Sequence, residues 1–171
     1  MNKYAVCRYL ATRNSFISLH YEYLLGATTV REIVTDTCDV IWERLKPAYM
    51  SARDKNDWIR TANEFYYRTN FPNCIGAVDG KQIRIRNPNE SGSQFFNYKN
   101  FFSMVLMAVA DADYHIISIE VGAYASSSDS NVFKNSTFGK LLQSNKLNIP
   151  EPRVLPSDAE ELSMPFLLIG D

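Results

Sequence analysis

Along the first 70 residues apolar positions recur at spacings of three and four; beyond Phe71-Pro72-Asn73 they recur at two. Val30, Ile33, Val34, Thr37, Cys38, Ile41, Trp42 and Leu45 form one stripe and predict a helix over 30–45. Thr29 and Glu32 are spaced as a capping box at its start, and Pro47 is expected to stop it. Upstream, 4–11 and 15–24 read as shorter helices, and the Leu24-Leu25-Gly26 turn suggests a helix-turn-helix. Most helix pairs of this kind only pack, and plain packing is the reading the residues favour. Asp57 is placed to cap a further helix in which Trp58, Ala62, Phe65, Tyr66 and Thr69 share a face.

Three strand-like runs follow, over 74–85, 103–110 and 115–121. Asp111-Ala112-Asp113, between the second and third, suits a hairpin turn. A Ser-rich stretch over 125–130 leads into a helix expected over 129–143, with Asp129 as its cap. Val132, Phe133, Phe138, Leu141 and Leu142 supply its apolar contacts. A Pro-bearing loop over 149–156 then leads to Phe166-Leu167-Leu168-Ile169, a continuous run of the kind carried by strands buried on both faces. Three strands, a helix and a strand predict a mixed α/β sheet preceded by a helical lobe. The expected division is 1–70, helical and helix-turn-helix-like, and 71–171, the sheet region.

Composition narrows the class without choosing a function. With 171 residues, 46% hydrophobic and 22% charged, the chain matches an ordinary globular protein, not a disordered tail, collagen-like rod or coiled coil. The longest apolar run, 104–110, is too short to span a bilayer, and the start lacks a signal-peptide core. A soluble intracellular protein is expected. Cys7, Cys38 and Cys74 are widely spaced, and His20 and His115 are the only histidines. No zinc-ligand pattern results, so reduced and mostly buried thiols are expected. The net charge of −1 conceals a gradient: residues 1–75 and 76–110 each carry +2, and residues 111–171 carry −5. That balance argues mildly against a dedicated nucleic-acid binder.

Two acids carry possible chemistry. Under strict alternation Asp79 shares a face with Ile75, Ala77, Ile83 and Ile85, where a carboxylate is costly without a partner or metal. Asp79-Gly80 is also a strong hairpin-turn signal, and the local pattern leaves both readings open. Asp171 follows the last apolar run, at the kind of strand end where α/β sites gather, although a plain terminal acid explains it equally simply. If the crossover sets the two strands side by side, the backbones lie about 4.8 Å apart. Two carboxylates so placed call for a divalent cation, and hard oxygen donors suit Mg²⁺ or Mn²⁺. Such ions support phosphodiester cleavage. Lys81, Arg84, Arg86 and Lys99 flank Asp79 as candidate phosphate contacts. Phe95, Phe96, Tyr98, Phe101 and Phe102 suit packing along the sheet edge, the favoured reading, or a base-stacking platform.

The segment from Phe71-Pro72-Asn73-Cys74 through Gly76-Ala77-Val78-Asp79-Gly80-Lys81 to Ile85 closely resembles the first catalytic block of the Harbinger (PIF/Harbinger) transposase-derived nucleases. Phe96-Asn97-Tyr98-Lys99, Val121-Gly122-Ala123-Tyr124 and Asp129 through Val132-Phe133 extend the likeness, and Leu168-Ile169-Gly170-Asp171 resembles the second block. The helical section is similar around Tyr9-Leu10-Ala11-Thr12 and from Thr29 to Trp42.

The resemblance implies a DDE-type nuclease with a ribonuclease H-like sheet in β-β-β-α-β order, C-terminally incomplete here. The acid matching Asp79 would be the first metal ligand and that matching Asp171 the second. Gly80 would then mark a bulge. DNA as substrate, a separate Myb-like DNA-binding partner and a nuclear location are further implications. Two departures stand out. Gln82 occupies a position where relatives often carry His, and the family's third acid, usually a Glu on a later helix, has no counterpart before the chain stops at Asp171. A fragment with weak or absent cleavage is therefore expected, and a non-catalytic DNA- or protein-binding remnant is the alternative.

Overall fold

The structure, a computed structural model, describes residues 3–156 and 162–170. The chain divides into two compact units, Met1–Tyr49 and Met50–Asp171.

The first unit holds three helices: α1 (Lys3–Thr12), α2 (Phe16–Tyr23) and α3 (Ala27–Tyr49). Ser15 caps α2 by accepting from the Ser18 amide, and Leu24 closes it in a left-handed conformation at φ 52°. Val6, Leu19, Val30 and Val34 form the core, with Tyr9 stacked on Phe16. Two sequence expectations are corrected. Helix α3 begins at Ala27, so Thr29 lies inside it, and it runs through Pro47 to Tyr49. One further turn tolerates proline because only a single amide bond near a helix end is forfeited. The apolar stripe is also only partly used, since Ile41, Trp42 and Leu45 are exposed within the structure.

In the second unit α4 (Lys55–Thr69) packs on β1 (Cys74–Arg84). Its cap is Asp54, not Asp57: Asp54 accepts from the Asp57 amide and Asp57 reciprocates, completing a capping box. That backbone bond, aided by Arg60, holds the Asp57 carboxyl below its ordinary range despite the opposing effect of burial. Trp58, Ala62 and Phe65 face inward, and the Trp58 indole donates to the Leu147 carbonyl at 2.7 Å.

β1 pairs antiparallel with β2 (Ser103–Ala110), which pairs antiparallel with β3 (Ile116–Tyr124). β2 alternates strictly, with Ser103, Val105, Met107 and Val109 buried. Asp111 organises the β2–β3 turn: its Oδ1 accepts from the Asp113 and His115 amides, and its Oδ2 takes the Arg53 guanidinium at 3.0 Å. Burial pushes the Asp111 carboxyl upward, but these donors outweigh it and hold the group below the usual carboxylate range.

The helix expected over 129–143 is two helices, α5 (Asp129–Asn135) and α6 (Thr137–Gln143). Ser136 divides them, its hydroxyl donating to the Phe133 carbonyl and accepting from the Gly139 amide. The α5 cap is Ser128 rather than Asp129, which falls in the first turn. The expected loop over 149–156 contains β4 (Arg153–Val154), paired with β5 (Ser163–Met164). Asn73 ties this ribbon to the sheet, accepting from Arg153 and donating to the Met164 carbonyl.

β6 (Leu167–Ile169) pairs parallel with β1, giving the sheet order β3-β2-β1-β6. The fold is mixed α/β, as the sequence predicts. β6 is an edge strand among the described residues, with Leu167 exposed, rather than a strand buried on both faces. Its apolar run reflects packing of Leu168 and Phe166 against the Trp58, Ile75 and Val109 core. Among the described residues no helix is long and apolar enough to cross a membrane. Cys74 is buried, which pushes its thiol up, whereas Cys7 is exposed, contrary to the expectation for these thiols.

Candidate active site

Asp79 sits within β1, and the ladder to β2 runs unbroken from Ala77↔Ala110 through Asp79↔Ala108 to Arg84↔Ser103. The hairpin reading of Asp79-Gly80 is therefore excluded, and so is a bulge at Gly80. The sheet's irregularities lie elsewhere: between Cys74 and Gly76 against β6, and in β3 at Ile117 and at Gly122, whose φ of +115° suits an inserted residue. Asp79 is exposed, and its neighbours along that face, Lys81 and Ile83, are exposed too. The expected desolvation of its carboxylate does not arise.

Alternation divides β1 between two faces. Val78, Gly80 and Gln82 stand opposite Val109, Met107 and Val105, on the side covered by α5; Asp79 belongs to the other side. β6 pairs with β1 only from Cys74 to Ala77, so past that point β1 has no strand partner on this edge among the described residues. The open edge lets groups from both faces reach one cavity of about 220 Å³. Asp79, Asp129, Ser130 and Gly170 line it, over an apolar floor of Val78, Met107 and Phe133. Among the described residues Asp79 has no hydrogen-bond or ion-pair partner.

Asp129, which the sequence reading places as a helix cap and within the Harbinger-like stretch but not among the metal ligands, lines this cavity as well. It is held here by glycine: a β-carbon on Gly80 would lie 2.4–2.8 Å from the Asp129 carboxylate atoms. Gly80 therefore permits the start of α5 to press against the strand beside Asp79. Gly170 makes a similar close approach, its virtual β-carbon 3.0 Å from the Val78 carbonyl. The pairing signal, an Asp-Gly within a strand and an Asp at the start of a later helix, is visible in the sequence only once topology joins them.

Asp171 lies outside the described residues. Lys81, Arg84, Arg86 and Lys99 are all exposed, and none is ion-paired to an acid among the described residues. Arg84 lies 4.3 Å over the Phe101 ring and Lys99 5.3 Å over Tyr98. Gln82 accepts from the buried Ser103 hydroxyl at 2.6 Å and reaches toward the Ala125 carbonyl. It thereby bridges β1 to the loop before α5.

Residues 78–159 match the family described as DDE superfamily endonuclease, a stretch containing Asp79, Asp129 and all four basic residues. The chain is similar to these endonucleases over that stretch, in keeping with the Harbinger likeness carried by its motifs. It is 24% identical over 119 residues to the Xenopus laevis protein named "Putative nuclease HARBI1", covering 70% of this chain. It is 29% identical over 141 residues to the Arabidopsis thaliana "Protein ALP1-like", covering 81% of this chain. In both cases the match spans 34% of the relative, so the chain corresponds to about a third of their length. No solved structure matches.

Proposed function

We propose that this chain forms part of a transposase-derived DNA endonuclease that depends on a divalent metal and hydrolyses phosphodiester bonds. The observation that carries the reading is Asp79: an exposed carboxylate, without a described partner, in a cavity shared with Asp129 and the end of β6. The donor chemistry fits a hard cation, since among the described residues the ionisable groups lining this cavity are carboxylates, without His or Cys. On this reading Asp79 and Asp171 hold Mg²⁺ or Mn²⁺. Support for Asp171 comes from β6, which pairs parallel with β1 up to Ala77↔Ile169 and is followed by Gly170, close to the Val78 carbonyl.

When bound, the metal would supply charge neutralisation and lower the pKa of a coordinated water. The chain's own residues do the rest. Hydrolysis joins a water oxygen to phosphorus, breaks the bond to one sugar oxygen and returns a proton to that leaving oxygen. Lys81, Arg84, Arg86 and Lys99 are the groups proposed to hold neighbouring phosphates, being exposed and unpaired to acids. The strand order β3-β2-β1-β6, with a helix preceding a parallel β6, supports a ribonuclease H-like arrangement. Residues 71–171 would be the N-terminal part of that nuclease domain, and 1–70 a helical region whose α2–α3 pair is helix-turn-helix-like.

DNA is the proposed substrate and a Myb-like protein the proposed partner; the nucleus is the matching location. The test is nicking of supercoiled plasmid with Mg²⁺ or Mn²⁺. Metal-dependent nicking lost in Asp79→Asn is the expected result, and nicking unchanged by that substitution would overturn the assignment.

A further inference from the structure

A second cavity, of about 350 Å³, adjoins the acid site and shares Asp129 with it. It is lined by Gly80, Gln82, Tyr98, Ala125, Ser126, Ser127, Ser128 and Asp129. Gly80, which lines this second cavity, follows Asp79 in β1, and the Asp129 carboxylate shared by both cavities lies against it.

Most aromatics of the 95–102 segment are used in packing. Phe95 meets Tyr124 edge-on at 5.3 Å, Phe96 meets Phe102 at 5.2 Å, and Phe101 lies under Arg84. Tyr98 differs. It is 78% exposed, its only ring contact among the described residues is the Lys99 ammonium, and it borders the cavity. An aromatic kept for packing would be covered.

The loop that presents Tyr98 is nevertheless firmly held. Asn97, 3% exposed, accepts from the Lys99 and Phe101 amides with its Oδ1 and donates to the Ser103 hydroxyl at 2.8 Å. Ser103 donates onward to Gln82, which reaches the Ala125 carbonyl. One buried chain of polar contacts thus spans the Tyr98 loop, β1 and the serine loop. Its effect is to hold the backbone that carries Tyr98 beside the cavity it shares with Ser126, Ser127 and Ser128, without burying the ring.

We propose that this cleft is a nucleotide subsite in which an unpaired DNA base stacks on Tyr98 beside the strand to be cut at Asp79. The serine hydroxyls and the Gln82 amide offer neutral donors and acceptors for a base edge. Asp129 disfavours a phosphate in the cleft itself, while Lys99, above the ring, faces the backbone of the same strand. The substrate class rests on the endonuclease reading; the stacking geometry does not.

The experiment measures binding of a fluorescein-labelled single-stranded oligothymidylate to the 171-residue chain by anisotropy, in EDTA so that metal and cleavage play no part. Tyr98→Ala is expected to weaken binding about tenfold, in line with loss of one base–aromatic stack, and Tyr98→Phe to remain within about twofold of the parent. An abasic strand should bind the parent and Tyr98→Ala equally. Equal affinity of the parent and Tyr98→Ala for the normal strand, an equal loss in Tyr98→Phe, or no binding by the parent would overturn the subsite. None of those results touches the role of Asp79, which is read separately from metal-dependent nicking.

Discussion

Replacing Gly80 with alanine tests how the acid site is built. The added β-carbon would fall 2.4 Å from one Asp129 carboxylate oxygen, 2.5 Å from the carboxyl carbon and 2.8 Å from the other oxygen. Rotation of the carboxylate about χ2 does not clear all three atoms, so either the Asp129 side chain swings out of this position about χ1 or α5 shifts outward. Overpacking of this kind costs about 1–3 kcal/mol. Alanine also restricts the unfolded chain, which returns about 0.5–1 kcal/mol. The expected net loss is about 0–2.5 kcal/mol. In an Asp129→Ala background the clash is gone and only the favourable contribution remains, so Gly80→Ala should be neutral or stabilising by up to about 1 kcal/mol. The assay is a double-mutant cycle in urea, followed by far-ultraviolet circular dichroism. A coupling energy of about 1–3 kcal/mol supports the contact. Additive effects, within about 0.3 kcal/mol, would refute the placement of Asp129 against the strand.

Asp111→Ala removes a carboxylate that pairs with Arg53 and closes the β2–β3 turn, and should destabilise the chain by about 2–4 kcal/mol in urea titrations. Because its folded pKa is lowered, the Asp111 contribution is complete above the unfolded value of about 3.9 and fades as pH falls through the lower folded one. The parent's acid destabilisation below pH 4 should accordingly be shallower in the variant, and identical slopes would count against the ion pair. Thiol labelling under native conditions should modify exposed Cys7 first and half-buried Cys38 later, with Cys74 reacting only on unfolding. Early labelling of Cys74 would contradict its burial beneath β6.

Much of the sheet was legible because alternation is a strong signal: β2 has the expected bounds, and Asp111 marks its turn. Helix ends were less so. Asp54 and Asp57 both suit a cap, and only the reciprocal bonds decide that Asp54 is the cap. The break at Ser136 was hidden because the apolar residues on either side keep helical spacing, whereas a single buried hydroxyl sets the division. The two-residue strands β4 and β5 are too short to show a period. Asp79 was singled out correctly as a strand residue by resemblance, but its exposure was not foreseen, because alternation says nothing about how far β6 extends along β1. Asp129 and the Asn97–Ser103–Gln82 chain join positions far apart in sequence, which no local pattern reports.

The central claim is that Asp79 is a ligand for a divalent cation, and isothermal titration of Mn²⁺ into the chain and into Asp79→Asn tests it without requiring cleavage. Binding by the parent, weakened at least tenfold in a variant that melts normally, is the predicted result. Equal Mn²⁺ affinity in the two proteins, or none in the parent, would contradict it.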